Sequence, residues 1–312
     1  MKTRAMWVIG LVAAITFVLC FKKAPKGFVL IPAGSFQMGD AFEKGSSFPV
    51  HEEMVSAFFM EKFEVTAALW DEVRIWGASH GYTDLPAGAW KGATHPVHSI
   101  NWYATVKWCN ARSEREGLTP CYYKDAAQTV VYQTGNLDLD NTMVKWAANG
   151  YRLPTQVEWE KAARGGLSNK RFPWGDAISH QQANFHNSGK EPYQTGTVRF
   201  HPAYQSEKPG MEMYTSFTLS VGSFAPNEYG LYDMAGNVEE WCWDGVWKPT
   251  LGSQGAPNGC NSPPVERIVR GGGWFSSAFD CRVAGRYIVP PAGASRRLGF
   301  RSVRSTIPSY GR

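Results

Sequence analysis

The sequence predicts an α+β domain, irregular and with few long elements. Three observations carry this. The 312 residues are 43% apolar and 19% charged, enough for a sizeable core and too apolar for disorder. The 13 Trp beside 32 Gly favour aromatic packing between short elements joined by many turns. Helix signals all fall before Gly166, and the last third is rich in turn residues.

The chain opens "MKTRAMWVIGLVAAITFVLCFKK". Lys2 and Arg4 give a positive start, and Met6 to Leu19 is an apolar run too short for a comfortable membrane span. It stops at Cys20. This predicts a lipoprotein signal peptide over 1–19, acylation of Cys20, and a tether over 20–27. Phe17-Val18-Leu19 depart from the small residues usual before such a cysteine, so an uncleaved anchor is the alternative. Either way the following domain, 28–312, is expected to be exported and lipid-anchored at the cell surface, on the outer membrane. The net charge of +5 lies partly at Lys22, Lys23 and Lys26, and no basic run elsewhere suits nucleic acid.

"FVLIPAGSFQMGD" reads as a strand, a Pro-Gly turn and a second strand. "HEEMVSAFFMEKFEVT" alternates as one further strand, and Thr66 then caps "AALWDEVRIW" as a helix. Asn101 opens "WYATVKWCNARSERE", which Gly117 ends. Tyr122 to Trp146 reads as an inserted hairpin with Gly135-Asn136 in a turn. In "YRLPTQVEWEKAARGG", Thr155 and Glu158 have capping-box spacing, and Gly165-Gly166 stop the helix.

Known catalytic patterns are sparse. Cys109, Cys121, Cys242, Cys260 and Cys281 form no C-x-x-C pair, which disfavours thiolate zinc. Export permits disulfides, and Cys109 and Cys121 are the nearest pair in sequence. His95 and His98 in "HPVH" lack a third ligand nearby. There is no nucleophile elbow and no phosphate loop.

"FVLIPAGSFQMG", "FEVTAALWDEV", "GYRLPTQVEWEKAARGG", "FPWGD", "GLYDMAGNVEEW", "VRGGGW" and "LGFR" occur in the order seen in one family. The chain resembles the formylglycine-generating-enzyme, or sulfatase-modifying-factor, domain family over roughly Phe28 to Val303. The resemblance implies a C-type lectin-like fold of the formylglycine-generating-enzyme type. It also implies an oxidation of cysteine to formylglycine, with Cu(I) held between two cysteines five residues apart. Here the second falls on Cys281 and the first on Ser276, whose hard hydroxyl cannot replace a thiolate on Cu(I). No catalytic residue is therefore expected. The same resemblance implies structural Ca²⁺. One site would use side-chain oxygens of Asp233 and Glu240 with carbonyls of Gly236 and Val238. A second would use Asn184 and the Phe185 carbonyl. Hard oxygen ligands suit that ion.

One branch of the family is not enzymatic: the variable proteins of diversity-generating retroelements, whose templates are miscopied at AAC-type codons. "RGGGWFSSAFDCRVAGRYIVPPAGASRRLGFR", residues 270–301, is similar to that branch's variable region without a gap. The template asparagines fall on Phe275, Ser276, Ser277, Phe279, Asp280, Gly285, Tyr287, Ile288, Val289, Pro290, Ala292, Gly293, Ser295, Arg296 and Arg297. An AAC codon reaches each of these by changing adenines. Phe275 to Arg297 contains no Lys, Glu, Gln, Met or Trp, the residues such codons cannot reach. Trp274, Cys281, Arg282, Val283, Arg286, Pro291, Leu298, Gly299 and Phe300 fall on a fixed frame. Aromatic, small and Arg residues are what a paratope uses. The expected function is thus a surface-anchored protein binding an unknown protein or cell-surface ligand through residues 275–297. The alternatives are an oxidoreductase with an atypical metal site, or a structural lipoprotein.

Overall fold

The computed structural model describes residues 24–40, 42, 49–204, 216–246 and 265–306. Cys20, the signal segment and Cys260 lie outside these residues. Strands β1 (Phe28–Ile31), β4 (Phe58–Glu61), β5 (Tyr151–Arg152) and β10 (Val303–Ser305) form one sheet in the order β1-β4-β10-β5. Strands β2 (Gly34–Met38) and β3 (His51–Val55) pair as a separate antiparallel ribbon. A third sheet has the order β8-β7-β6-β9, from β6 (Glu239–Val246), β7 (Glu266–Arg270), β8 (Arg286–Val289) and β9 (Leu298–Gly299).

The three helices begin where their caps predict. Thr66 accepts the Leu69 N–H at the start of α1 (Ala67–Ala78). Asn101 accepts the Ala104 N–H at the start of α2 (Trp102–Arg115). Thr155 and Glu158 form the full capping box of α3 (Gln156–Arg164), and Gly165 ends it with φ of 58°. These side chains satisfy helix-end amides that have no partner within the helix.

Two expectations need correction. The stretch from His51 is two strands, not one, because the chain leaves β3 at Ser56 to join a different sheet. Residues 122–146 are not a regular hairpin. They carry only the bridges Tyr122 to Val144 and Tyr123 to Val131, with a 3-10 turn at Asn141–Met143. The Asn110 side chain replaces ladder bonds there. It donates to the carbonyls of Tyr122 and Tyr132 and accepts the N–H groups of Cys121 and Tyr122.

The tryptophans do build the core. Trp70, Trp102, Trp108, Trp159 and Trp241 are fully buried, and every indole N–H among them has an acceptor. That removes the penalty of burying their one polar atom. Trp70 and Trp108 stack at 5.7 Å, and Phe300 meets Trp108 edge-on at 5.3 Å. Phe300 closes the 270–301 segment, so that segment ends inside the main core.

Candidate ligand-binding face

Both outer strands of the third sheet come from residues 270–301: β8 on one edge and β9 on the other. Two buried arginines hold the segment's ends. Arg270 pairs with Glu160 and donates to the Gly285 carbonyl at 2.8 Å. Arg301 grips Glu240 through Nε and Nη2 at 2.7 Å and donates to the Tyr232 carbonyl at 2.9 Å. Each arginine is taken out of water only because a carboxylate and carbonyls replace its hydration.

Between these ends the frame residues face inward. Trp274, Cys281, Arg282, Val283, Pro291, Leu298, Gly299 and Phe300 are buried, and Arg286 is half-buried. Trp274 donates its indole N–H to the Arg296 carbonyl at 3.1 Å, tying the first arm to the second. The Trp102 N–H reaches the Pro291 carbonyl at 3.0 Å, and the Ser99 N–H reaches that of Ser295 at 2.9 Å. Three carbonyls of the second arm are therefore held by bonds that do not depend on its own side chains.

The intervening residues mostly face outward. Phe275, Phe279, Tyr287 and Ile288 are 37%, 39%, 45% and 48% exposed, and Pro290, Ala292, Arg296 and Arg297 are exposed. Ser277, Asp280, Val289, Gly293 and Ser295 are half-buried. Tyr287 donates its hydroxyl to Asp280, and the Arg282 guanidinium covers the Phe279 ring at 3.7 Å. Four large apolar groups thus stand at the surface, two of them braced by neighbours, an arrangement suited to contact with another molecule.

Two of the fifteen candidate positions do not face out. Ser276 is 4% exposed; its hydroxyl accepts the Gly273 N–H at 3.0 Å and donates to Glu239 at 3.1 Å. Gly285 is buried, and a Cβ there would stand 2.6 Å from the Asp280 carbonyl oxygen, so no side chain fits without moving backbone. Gly293 is crowded too, with a Cβ position 2.9 Å from the Pro290 carbonyl oxygen.

Sequence reasoning missed the neighbours that back this face. The His186 and Phe200 rings stack near Phe275, at 5.6 and 6.1 Å, from a loop far away in sequence. Glu239 lies beneath Ser276. Its one sequence signal is a doubled acid in "NVEEW", beside apolar residues that predict a buried strand.

The implied copper pair does not fit. Cys281 is buried, and burial, with Asp280 and Glu239 beside it, pushes its thiol well above the usual range. Ser276 is committed to Gly273 and Glu239. Of the implied calcium ligands, the two carboxylates differ in their surroundings. Asp233 has one buried oxygen without a donor, as a cation ligand would. Both oxygens of Glu240, however, are taken by Arg301 and the Trp159 indole. The Asn184 amide donates to the Phe217 carbonyl, its own carbonyl accepts the Asn237 N–H, and Phe185 is buried against His180. The Gly236 N–H bonds to the Gly271 carbonyl and the Val238 N–H to Glu64, contacts that do not involve the carbonyls implied as ligands. Among the described residues, no three His, Cys, Asp or Glu are placed to hold a metal ion. His95 bonds Thr218, and His98 lies buried beside Ser99. Cys109 and Cys121 are buried as free thiols in this structure.

Three irregular sheets around a tryptophan core, closed by the Arg301 clamp, are a C-type lectin-like fold of the formylglycine-generating-enzyme type. The chain belongs to the sulfatase-modifying factor enzyme 1-like domain family, whose profile matches residues 19–306. It is 32% identical over 285 residues to a protein of Paenibacillus barcinonensis named chaperone protein LppX, with 89% of each chain covered. It is 30% identical over 313 residues to the formylglycine-generating enzyme of Thermomonospora curvata, covering 88% of this chain and 92% of that one. Among solved structures it is similar to Treponema denticola variable protein 1. That match has a TM-score of 0.63 and 27% identity, and covers 89% of this chain and 95% of that one.

Proposed function

We propose that this chain is a non-catalytic binding protein of its family, displaying a diversified face on residues 275–297 to a protein or cell-surface ligand. The observation that carries the reading is the split within one segment: frame side chains mostly buried, intervening ones mostly outward, with four large apolar groups among them. A paratope needs rigid apolar anchors on a scaffold that does not depend on them. The similarity to a protein named a variable protein supports the same reading. Diversification itself is decided by the DNA beside the gene. A near-copy of the final segment, rich in AAC codons, is expected there, and its absence counts against a diversified site.

Against catalysis stands the pair Ser276 and Cys281, one a hydroxyl already engaged and the other a thiol held protonated by burial. Purified protein supplied with Cu(I) and a sulfatase-type cysteine peptide is expected to give no formylglycine. Copper-dependent turnover would favour the oxidoreductase reading instead. The proposal includes a lipid anchor at Cys20, motivated by the short apolar run that ends there. Labelled palmitate should mark the wild type and not Cys20→Ala; equal labelling sinks the anchor. A single acyl chain holds a membrane weakly, so more than one is expected.

A further inference from the structure

We propose that Glu239 is the positioning residue of this face: one buried carboxylate joins its two arms and makes positions 276 and 297 interdependent. Glu239 opens β6, outside the 270–301 segment. The Glu239 N–H donates to the Arg297 carbonyl at 2.6 Å, and its Cα pairs with Leu298 in the parallel ladder to β9. Its side chain reaches the opposite arm as well. Oε1 accepts the Ser276 hydroxyl at 3.1 Å and stands 3.2 Å from Arg297 Nε. The Ser276 hydroxyl is aimed by the Gly273 N–H behind it.

The chemistry makes these contacts consequential. The Glu239 side chain is 7% exposed, whereas that of Arg297 is 45% exposed. A carboxylate with so little water depends on donors from the protein. Both side-chain donors stand at positions where the sequence resembles the diversified template. The face is therefore not an array of independent positions. A residue at 276 must be small and offer a donor, and its tolerance depends on what stands at 297. Arg297 acts both as part of the displayed surface and as the cation that keeps the arms together.

The charged and titratable groups facing Glu239 are Asp280 and Cys281 from the first arm, Tyr287 from β8, and Arg297. Burial pushes Glu239 upward, and Arg297 and Ser276 oppose it. Burial also raises Cys281 and Tyr287. Removing Arg297 takes from the buried carboxylate one of its two side-chain donors and leaves the Ser276 hydroxyl.

The inference draws its meaning from the binding reading but is tested without a ligand. Purified full-length Arg297→Ser and Arg297→Lys are melted at pH 7, each with Glu239 and with Glu239→Gln. Amide exchange is followed over residues 292–297. With Glu239 present, Arg297→Ser should lower the melting temperature by roughly 2–4 °C more than it does beside Glu239→Gln. It should also speed exchange in the second arm. Arg297→Lys should restore both, and beside Glu239→Gln the Ser and Lys variants should melt alike. Adding Ser276→Ala should give non-additive losses with Glu239 and additive losses with Glu239→Gln. Equal losses from Arg297→Ser with Glu239 and with Glu239→Gln, or Lys as damaging as Ser, would overturn the proposal. Should the Gln variants not fold, the Ser and Lys comparison still decides. A failed coupling leaves the binding reading standing, and an established enzyme activity leaves the coupling measurable.

Discussion

Asp233 stands in the left-handed region with φ of 57° and is buried with one oxygen unpartnered. The other oxygen accepts the Gly222 N–H at 2.7 Å. Desolvation pushes its carboxyl up to about 6, against the pull of Gly222 and Arg301. Glu64 next to it is raised well above its usual value by burial, and further by Asp233 and Glu240. The folded state thus holds protons that the unfolded state releases from about pH 4, the ordinary carboxyl value. Stability from this source is complete below that pH and lost as the pH rises through about 6. Asp233→Asn keeps an acceptor for Gly222, and Asn tolerates a left-handed backbone. In melts with EDTA present, it should stabilise the protein at pH 7 by about 1–3 kcal/mol, with the gain fading near pH 4. A loss of stability at pH 7 would show that the ionised carboxylate has a partner. Little of this was legible in sequence: "DMAGNVEE" shows carboxylates that suggest cation ligands, but not that Arg301 would claim Glu240 from 61 residues away.

At the scale of elements, legibility followed the range of the forces involved. The three helices were readable because Thr66, Asn101 and Thr155 cap their own first turns, within three residues of the amides they bond. Strand partners were not readable, since pairing joins distant segments. β1 and β2 are separated by only Pro32 and Ala33 yet lie in different sheets. Residues 122–146 read as a hairpin with Gly135-Asn136 in its turn. Their backbone instead found Asn110 on α2. Within 270–301, the ordered motifs indicated which residues belong to the frame. They did not indicate that β8 and β9 would flank one sheet. Nor did they reveal that Ser276 and Gly285 would turn inward, because both are set by contacts with Glu239 and with the Asp280 carbonyl.

For the whole molecule, the division between frame and face predicts that stability and recognition are separable. Trp274 and Phe300 are buried, one sealing the two arms and the other packed into the Trp70 and Trp108 pair. Truncating such side chains leaves cavities, and Trp274→Ala or Phe300→Ala should each destabilise by about 3–5 kcal/mol. Phe275, Phe279 and Tyr287 keep more than a third of their surface in water. Phe275→Ser, Phe279→Ser and Tyr287→Asp remove part of a ring stack, a cation–π contact and a hydroxyl bond, all at the surface. Each should cost about 1 kcal/mol or less. Melts of the two sets under one condition decide the matter. If the outward set unfolds the protein as severely as the frame set, residues 275–297 are part of the core and the binding reading fails. If only the frame set does, the fold can carry many different faces, as a displayed repertoire requires.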